Sequence, residues 1–140
     1  MAYWLFKSEP NTWSWQNQID KGTAGEEWDG VRNYQARNNM RLMKVGDLGF
    51  FYHSLKEKAC VGIVRVKAEA HPDSTTDDPR WECVDIEAVE SLPNPVTLAM
   101  CKADPRLADM VLVNNTRLSV QPVTELEWAA VLDLAGHRKS

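Results

Sequence analysis

Long apolar runs are missing from this sequence, and none approaches the roughly 20 residues that a membrane-spanning helix needs. The first residues also lack the basic segment and long apolar stretch of a secretory signal. Together these absences predict a soluble protein in the cytoplasm that has no membrane partner.

Cysteine is scarce. Cys60, Cys83 and Cys101 are odd in number and widely spaced, and none belongs to a C-x-x-C pair. None lies near a plausible set of histidine ligands along the chain, which disfavours both a disulfide framework and a zinc site. The three cysteines are therefore expected to be buried free thiols in a reducing compartment, with no bound metal and no cofactor.

The sequence also lacks the familiar catalytic signatures: a nucleophile elbow, a Walker loop, a dinucleotide fingerprint and an H-E-x-x-H motif. His53 has the most interesting position of the histidines, because it ends a predicted strand between Tyr52 and Ser54. A histidine there is more often a structural residue with paired ring nitrogens than a catalytic base. A binding protein is accordingly favoured over an enzyme.

The charge pattern predicts a local anion-facing surface on an acidic chain. The net charge of −4 argues against a long interface that follows phosphates, which needs many basic residues on one face. The stretch between Gly30 and Gly46, however, contains no acidic residue and four basic ones: Arg32, Arg37, Arg41 and Lys44. A second stretch, residues 69–90, is acidic and has Arg80 as its basic residue.

The order of predicted elements indicates an α+β fold with a mixed, curled sheet or small barrel, in one domain over residues 1–140. Strands are predicted over residues 3–8, 48–53, 60–67, 81–89 and 117–123, with the second and third forming a hairpin. Helices are predicted over residues 33–44, 98–102 and 106–110, from a cap at Asn11 or Thr12 through Ile19, and after a capping box at residues 124–127. Pro93 and Pro95 are expected to break the chain before the short helices.

Two of the six tryptophans have positions that suit ligand binding. Trp28 and Trp81 lie beside loops and polar residues, where an indole face can stack on a nucleobase. Trp13 and Trp15 are predicted on one helix two residues apart, so one of them should lie near the surface or line a groove. Arg32 and Asn33 lie at the junction between the loop and the helix over residues 33–44, where free helical amides favour an anionic group.

Six segments together resemble an EVE domain, a family of the PUA-like superfamily. They are Lys7-Ser8-Glu9-Pro10, WDGVRNYQARN at residues 28–38, Gly46-Asp47, Phe51-Tyr52-His53-Ser54, Pro72-Asp73 and RLSVQP at residues 117–122. They occur in register over nearly the whole chain. The resemblance implies a PUA-like mixed β-barrel with surrounding helices.

The resemblance also implies a function, because EVE domains look related to YTH domains, which hold a methylated adenine in an aromatic cage. The partner would be a nucleic acid, RNA or DNA, possibly with modified cytosine, bound by a monomer. By position, Arg32 stands where the YTH loop supplies a second cage tryptophan, so Trp28 or Tyr52 would supply another wall. The predicted nucleobase pocket is Ser8, Trp28, Asn33, Tyr52, His53, Ser54 and Trp81, and the predicted phosphate contacts are Lys7, Arg32, Arg37 and Arg41.

Two other functions compete with the reader of a modified base. The related ASCH branch includes hydrolases of small amide or nucleoside substrates, for which Lys7, Glu9 and His53 would be the acid-base candidates. The acidic stretch over residues 69–90 could instead serve a protein-protein adaptor. Such an adaptor would keep its binding when Arg37 or Trp81 is replaced.

Overall fold

The computed structural model describes residues 1–55, 57–115 and 117–137, which form one mixed sheet with helices on both faces. The strands are β1 (Tyr3–Ser8), β2 (Glu26–Glu27), β3 (Leu48–His53), β4 (Ala59–Pro72), β5 (Glu82–Thr97) and β6 (Val120–Val123). The helices are α1 (Trp15–Lys21), α2 (Tyr34–Leu42), α3 (Leu98–Ala103), α4 (Val111–Asn114) and α5 (Glu125–Leu134). Short 3₁₀ turns cover Gly22–Ala24 and Pro105–Leu107. Among these helices, none is long and apolar enough to cross a bilayer.

The predicted α+β class and mixed sheet are confirmed. The strand order is β2-β5-β4-β3-β1-β6, and β1 runs parallel to β3 while the other pairs are antiparallel. In the described part of the chain the sheet is open, with β2 and β6 at its edges, rather than closed as a barrel. The parallel pair brings the carboxyl ends of β1 and β3 together, with Ser8 opposite His53.

Alternation along the central strands builds a separate core on each face of the sheet. Leu5, Phe50 and Tyr52 pack with α5, whereas their neighbours Phe6 and Phe51 pack on the other face against residues of α1 and α2. This follows because successive side chains of a strand point to opposite faces. We call the face of Phe6 and Phe51 the α2 face, and the face of Leu5, Phe50 and Tyr52 the α5 face.

The first helix begins later than predicted. Its N-cap is Ser14, whose side chain accepts a hydrogen bond from the Asn17 amide, and not Asn11 or Thr12. Trp13 therefore precedes α1 and belongs to the loop after β1. Trp15, the first residue of α1, packs its indole over Gly62 of β4, where any Cβ would lie 2.2 Å from the ring. Glycine at position 62 is what permits this close approach.

The prediction that Pro93 and Pro95 break the chain is wrong, because β5 continues through both prolines to Thr97. Opposite them the register shifts: Cys60 pairs with Val96 and Gly62 with Ser91, so several residues of β5 face one residue of β4. A proline is tolerated in such a bulge because no ladder hydrogen bond needs its missing amide proton.

Most other elements were located correctly, with differences in length. The hairpin of β3 and β4 is confirmed, as are the helix at residues 98–102 and the capping box of Thr124 and Glu127. The helix predicted over residues 33–44 is α2, with Asn33 as its N-cap. The predicted helix over residues 106–110 is a 3₁₀ turn that begins after Asp104, its N-cap, with Pro105 as its first residue. The last strand begins at Val120 rather than Arg117, and α4 was not predicted.

Candidate nucleic-acid interface

A cavity of about 440 Å³ opens on the α2 face, beside the carboxyl end of β1. Its walls come from the end of β1, the loop before α1, the segment from β2 to residue 32, and the loop before β6. The lining residues are Lys7, Ser8, Glu9, Thr12, Trp13, Glu26, Glu27, Trp28, Asp29, Gly30, Val31, Arg32 and Ser119. Of the predicted site residues, the cavity thus brings together Lys7, Ser8, Trp28 and Arg32.

Two tryptophans line the cavity, and the surrounding structure holds each of them in place. Trp28 packs edge-on against Phe6 and Phe51, with ring centroids 5.3 and 5.7 Å apart, and 8% of its surface is exposed. Trp13 is half-buried, and its Nε1 donates to Oε1 of the buried Gln18 at 2.9 Å. The Ser8 hydroxyl donates to the Trp13 carbonyl at 2.5 Å. The prediction that Trp13 or Trp15 lines a groove is confirmed for Trp13.

Asp73, a buried residue in the loop between β4 and β5, stabilises the rim of the cavity through hydrogen bonds. Its Oδ2 accepts hydrogen bonds from the Gly30 amide at 2.9 Å and from Arg32 Nη1 at 3.2 Å. Its Oδ1 accepts from the amide and hydroxyl of Thr75. Although burial opposes its charge, these hydrogen bonds lower the pKa of Asp73 to about 2.

Acidic groups outnumber basic ones around the cavity. Glu9, Glu26, Glu27 and Asp29 line it together with two basic residues, Lys7 and Arg32. Burial, followed by the negative charges of Asp73, Glu26 and Glu27, raises the pKa of Asp29. Burial lowers the pKa of Lys7. A phosphate inside this cavity would meet carboxylates, whereas a neutral ring with hydrogen-bond donors would meet acceptors.

Trp81 lies outside the cavity lining, under a cluster of arginines. Its ring stacks on Tyr34 with centroids 5.0 Å apart, and 9% of its surface is exposed. The guanidinium carbons of Arg32, Arg37 and Arg80 lie 5.5, 6.0 and 6.0 Å from the Trp81 ring centroid. We call these three residues the arginine cluster. Its member Arg32 also lines the cavity, so the two features adjoin.

The arginine cluster is held by local contacts that leave much of its charge at the surface. Arg37 lies 4.8 Å from the Tyr34 ring and donates to the Arg80 carbonyl at 2.9 Å. Arg80 donates to the Tyr34 hydroxyl and pairs with Asp78 at 2.6 Å, yet 61% of its side chain is exposed. Arg41 lies farther along α2 and pairs with Glu82 at 2.5 Å. Arg80 was missed as a site residue because it stands in an acidic stretch.

Four predicted pocket residues have structural positions outside the cavity lining. Asn33 caps α2 by accepting from the Ala36 amide, and Tyr52 is buried on the α5 face. His53 accepts from the Trp15 amide at 3.0 Å and contacts Glu57 at 2.5 Å, as expected for a structural histidine. Ser54 donates to the Ser8 carbonyl. These side chains do not converge with Trp81 on one pocket. Strand alternation directs Tyr52 to the α5 face, and Asn33 and His53 accept hydrogen bonds from amides in the first turns of α2 and α1.

The three cysteines are buried free thiols, as predicted. No plausible set of histidine ligands lies near a cysteine along the sequence, but the fold brings Cys83 beside His71 and Glu27, with their ligand atoms within 4.8 Å of one another. The residues are far apart along the chain, and β2, β4 and β5 bring them together at one edge of the sheet.

The open mixed sheet, its two faces of helices and the cavity beside β1 define an α+β domain of the PUA-like type. The chain belongs to the EVE domain family, whose model matches residues 2–134. It is similar to thymocyte nuclear protein 1 of Homo sapiens, with 36% identity over 170 residues that cover 95% of this chain and 73% of that protein.

Solved structures have the same fold over nearly the whole chain. A protein from Agrobacterium tumefaciens has a TM-score of 0.96 and 59% identity, covering 97% of this chain and 94% of its own. The structure of human THYN1 in complex with DNA containing 5-methylcytosine has a TM-score of 0.91 and 34% identity, covering 99% of this chain and 100% of its own. The YTH domain of Zygosaccharomyces rouxii MRB1, solved with N6-methyladenosine RNA, has a TM-score of 0.58 and 15% identity, a likeness of fold alone.

Proposed function

We propose that the chain is a non-catalytic reader that takes one nucleobase of a nucleic acid, a modified cytosine in DNA by preference, into the cavity beside β1. The observation that carries this proposal is the juxtaposition of an aromatic-lined cavity with an exposed arginine cluster through the shared residue Arg32. A flipped base must leave the stack and enter a pocket while its own strand stays on the protein surface.

The size and walls of the cavity suit a flat ring. Its volume of about 440 Å³ lies in the usual range for sites that hold small organic ligands. Trp13 and Trp28 would supply apolar surface for the ring, and the neighbouring Ser8 would contact its edge. Stacking of a base on an aromatic side chain contributes roughly 1 to 3 kcal/mol.

The charges favour a base inside the cavity and phosphates outside it. Carboxylates accept hydrogen bonds from the exocyclic amino group of cytosine. Asp29, Glu26 and Glu27 line the cavity and are candidates for that acceptor. The flanking phosphates would lie against Arg32, Arg37 and Arg80, since phosphate contacts fix the position of a strand without reading its sequence. Trp81 would support these arginines rather than stack on the base.

The human relative supports the choice of partner, because THYN1 was solved with DNA that contains 5-methylcytosine. A methyl group buried in a tight pocket contributes about 0.8 kcal/mol. A modest preference for the methylated base is therefore the expected signature of the site. Monomeric state and location in the cytoplasm remain predictions for this chain.

The test is titration of the chain with labelled single-stranded DNA of one sequence carrying cytosine, 5-methylcytosine, 5-hydroxymethylcytosine or N6-methyladenine at its centre, followed by fluorescence anisotropy. We expect binding that weakens with salt and is a few-fold tighter for 5-methylcytosine than for cytosine. An abasic site at the same position should lose the stacking contribution. Equal affinity for the abasic and methylated strands would contradict entry of a base.

The same mixtures test the hydrolase alternative when the products are separated after long incubation. Lys7 and Glu9 line the cavity, whereas His53, the third acid-base candidate, is engaged by Trp15 and Glu57. We expect every oligonucleotide to be recovered unchanged. Conversion of a modified base in an oligonucleotide that is lost on Glu9→Ala would overturn the assignment as a reader.

A further inference from the structure

Three strands place a cysteine, a histidine and two carboxylates together at the β2 edge of the sheet. His71 of β4 pairs directly with Cys83 of β5, and Glu27 of β2 pairs directly with Asp85 of β5. Directly paired residues share a face of the sheet, and so do residues two apart on one strand. All four side chains therefore lie on one face, next to the wall that Glu27 contributes to the cavity.

The spacing of these side chains fits a tetrahedral transition-metal ion. The ligand atoms of Glu27, His71 and Cys83 all lie within 4.8 Å of one another. Cys83 Sγ and Glu27 Oε1 are 3.4 Å apart. Two ligands at the usual zinc–sulfur and zinc–oxygen distances, with a tetrahedral angle between them, are separated by about 3.5 Å. Cys83 Sγ and Glu27 Oε1 therefore already have nearly the separation that two ligands of the ion require.

The surroundings of His71 resemble the outer contacts of metal-binding histidines. Its Nε2 lies 2.7 Å from Asp85 Oδ1, and its Nδ1 lies 3.0 Å from the Pro72 carbonyl. Both ring nitrogens thus face an oxygen acceptor, whereas a ligating histidine binds the ion through one nitrogen while the other donates to a carboxylate or carbonyl, which orients the ring. Binding of the ion therefore requires one of these two contacts to open, and the other then orients the ring. One third of the His71 side chain is exposed, which leaves the cluster a path from solvent.

We propose that Glu27, His71 and Cys83 form a binding site for a divalent transition metal ion such as Zn²⁺, with Asp85 orienting the site. Thiolate, imidazole and carboxylate are together the ligand types that this ion prefers. On binding, the Cys83 thiol releases its proton to solvent and the sulfur coordinates the ion. The ion joins the two-residue strand β2 to β4 and β5, and so stabilises the segment that leads into Trp28.

Cobalt(II) provides a direct probe, because coordination by a thiolate produces a sulfur-to-cobalt charge-transfer absorption. The full chain, reduced and freed of metal with a chelator, is titrated with Co²⁺ in the absence of nucleic acid. We expect this absorption to saturate at one equivalent and to be displaced by Zn²⁺. Failure of the reader proposal would leave this result unchanged, since no base takes part.

Variants assign the site to these residues. Cys83→Ser should abolish the charge-transfer absorption and His71→Gln should weaken cobalt binding, whereas Cys101→Ser and His53→Gln should keep both. Asp85→Asn should weaken binding by roughly 10- to 100-fold, as loss of an outer partner of a ligand does. His71→Gln covers the case in which Cys83→Ser does not fold. A wild-type chain without the absorption at excess Co²⁺, or a folded Cys83→Ser chain that keeps it, would overturn the proposal.

Discussion

Arg32 and Asp73 form an ion pair of 3.2 Å that joins the segment after β2 to the loop between β4 and β5. The Asp73 carboxylate is nearly inaccessible, while the Arg32 guanidinium remains 40% exposed and faces both the cavity and the Trp81 ring. Because Asp73 also accepts from the Gly30 amide, the rim is ordered before any ligand arrives. A preordered rim reduces the entropic cost of binding, because fewer groups have to be ordered when the ligand arrives.

Asp73 should make the stability of the protein depend on acidic pH. Its pKa is about 2 in the folded state and near 3.8 in an unfolded chain, so its stabilising contribution is complete above pH 3.8 and is lost as the pH falls toward 2. The shift corresponds to about 2 kcal/mol. Asp73→Asn should lower the free energy of unfolding by about that amount at pH 7, measured by denaturant unfolding, and by much less near pH 2.5.

Asp77 provides the control, because it is exposed in the same loop. Asp77→Asn should change the free energy of unfolding by a few tenths of a kcal/mol at most. If Asp73→Asn and wild type differed by the same amount at pH 7 and pH 2.5, the carboxylate would not be the origin of the effect.

Trp13 should contribute to binding of the base through its ring. Trp13→Ala removes one wall of the cavity and should weaken binding of the methylated oligonucleotide by about 1 to 3 kcal/mol, roughly 5- to 150-fold in Kd. Trp13→Phe keeps an aromatic wall and loses the hydrogen bond to Gln18, so it should retain most of the affinity. Fluorescence anisotropy of the labelled strand measures both.

Tyr3→Ala is the matched control for Trp13. Tyr3 is also a partly buried aromatic residue, but it stacks on Trp128 on the α5 face, 4.5 Å between centroids. Tyr3→Ala should lower the free energy of unfolding and leave Kd for the methylated oligonucleotide unchanged. Equal loss of affinity in Tyr3→Ala and Trp13→Ala would indicate a general loss of structure rather than a contact with the base.

Arg80 and Arg106 form a matched pair for testing the arginine cluster. Each pairs with an aspartate two residues earlier in the chain, Asp78 or Asp104, and each side chain is about half exposed or more. Arg80 adjoins Trp81, whereas Arg106 follows α3 on the α5 face. Arg80→Ala should reduce the slope of log Kd against log salt by roughly 0.7 to 0.9, and Arg106→Ala should not change it.

Arg80→Ala should reduce the slope of log Kd against log salt by the same amount for unmodified and modified strands, since phosphate contacts carry no information on the base. A slope that falls equally in Arg80→Ala and Arg106→Ala would place the phosphates elsewhere on the surface.

His53 should affect stability and leave binding unchanged. Its Nε2 accepts from the Trp15 amide, so the ring proton belongs on Nδ1, which faces Glu57. His53→Ala leaves the first amide of α1 without this acceptor and should lower the free energy of unfolding by about 0.5 to 1.5 kcal/mol. Kd for the methylated strand should stay within twofold. A large loss of affinity in a folded His53→Ala chain would return His53 to the site.

Most of the elements could be predicted from the sequence because their signals are local. The uninterrupted stretch of α2 without Gly or Pro, the capping box of Thr124 and Glu127 and the alternation of β3 each depend on residues a few positions apart. The errors arose where a distant strand decides the outcome. Pro93 and Pro95 are accommodated inside β5 because β4 shifts register opposite them, a fact that the prolines themselves do not encode.

The composition of the site was less predictable than the elements. Ser8 and Trp28 line the cavity as predicted for pocket residues, whereas Lys7 and Arg32, predicted as phosphate contacts, line it as well. Trp13 replaces Trp81 as the second tryptophan of the lining. Ser14, a residue type favoured at helix N-caps, was the signal in the sequence that would have placed Trp13 in the loop before α1. The burial of Trp81 beneath Tyr34 depends on contacts between α2 and the β4–β5 loop, which have no local signature.

By itself the sequence determined the α+β class, the family resemblance, the buried thiols and the basic segment before and within α2, because each follows from residue type and short-range spacing. The tertiary structure decided which aromatic rings face the cavity, that Asp73 holds its rim, and that Cys83 meets His71 and Glu27. These depend on strand order and register, since a sheet brings side chains together across residues that are far apart along the chain.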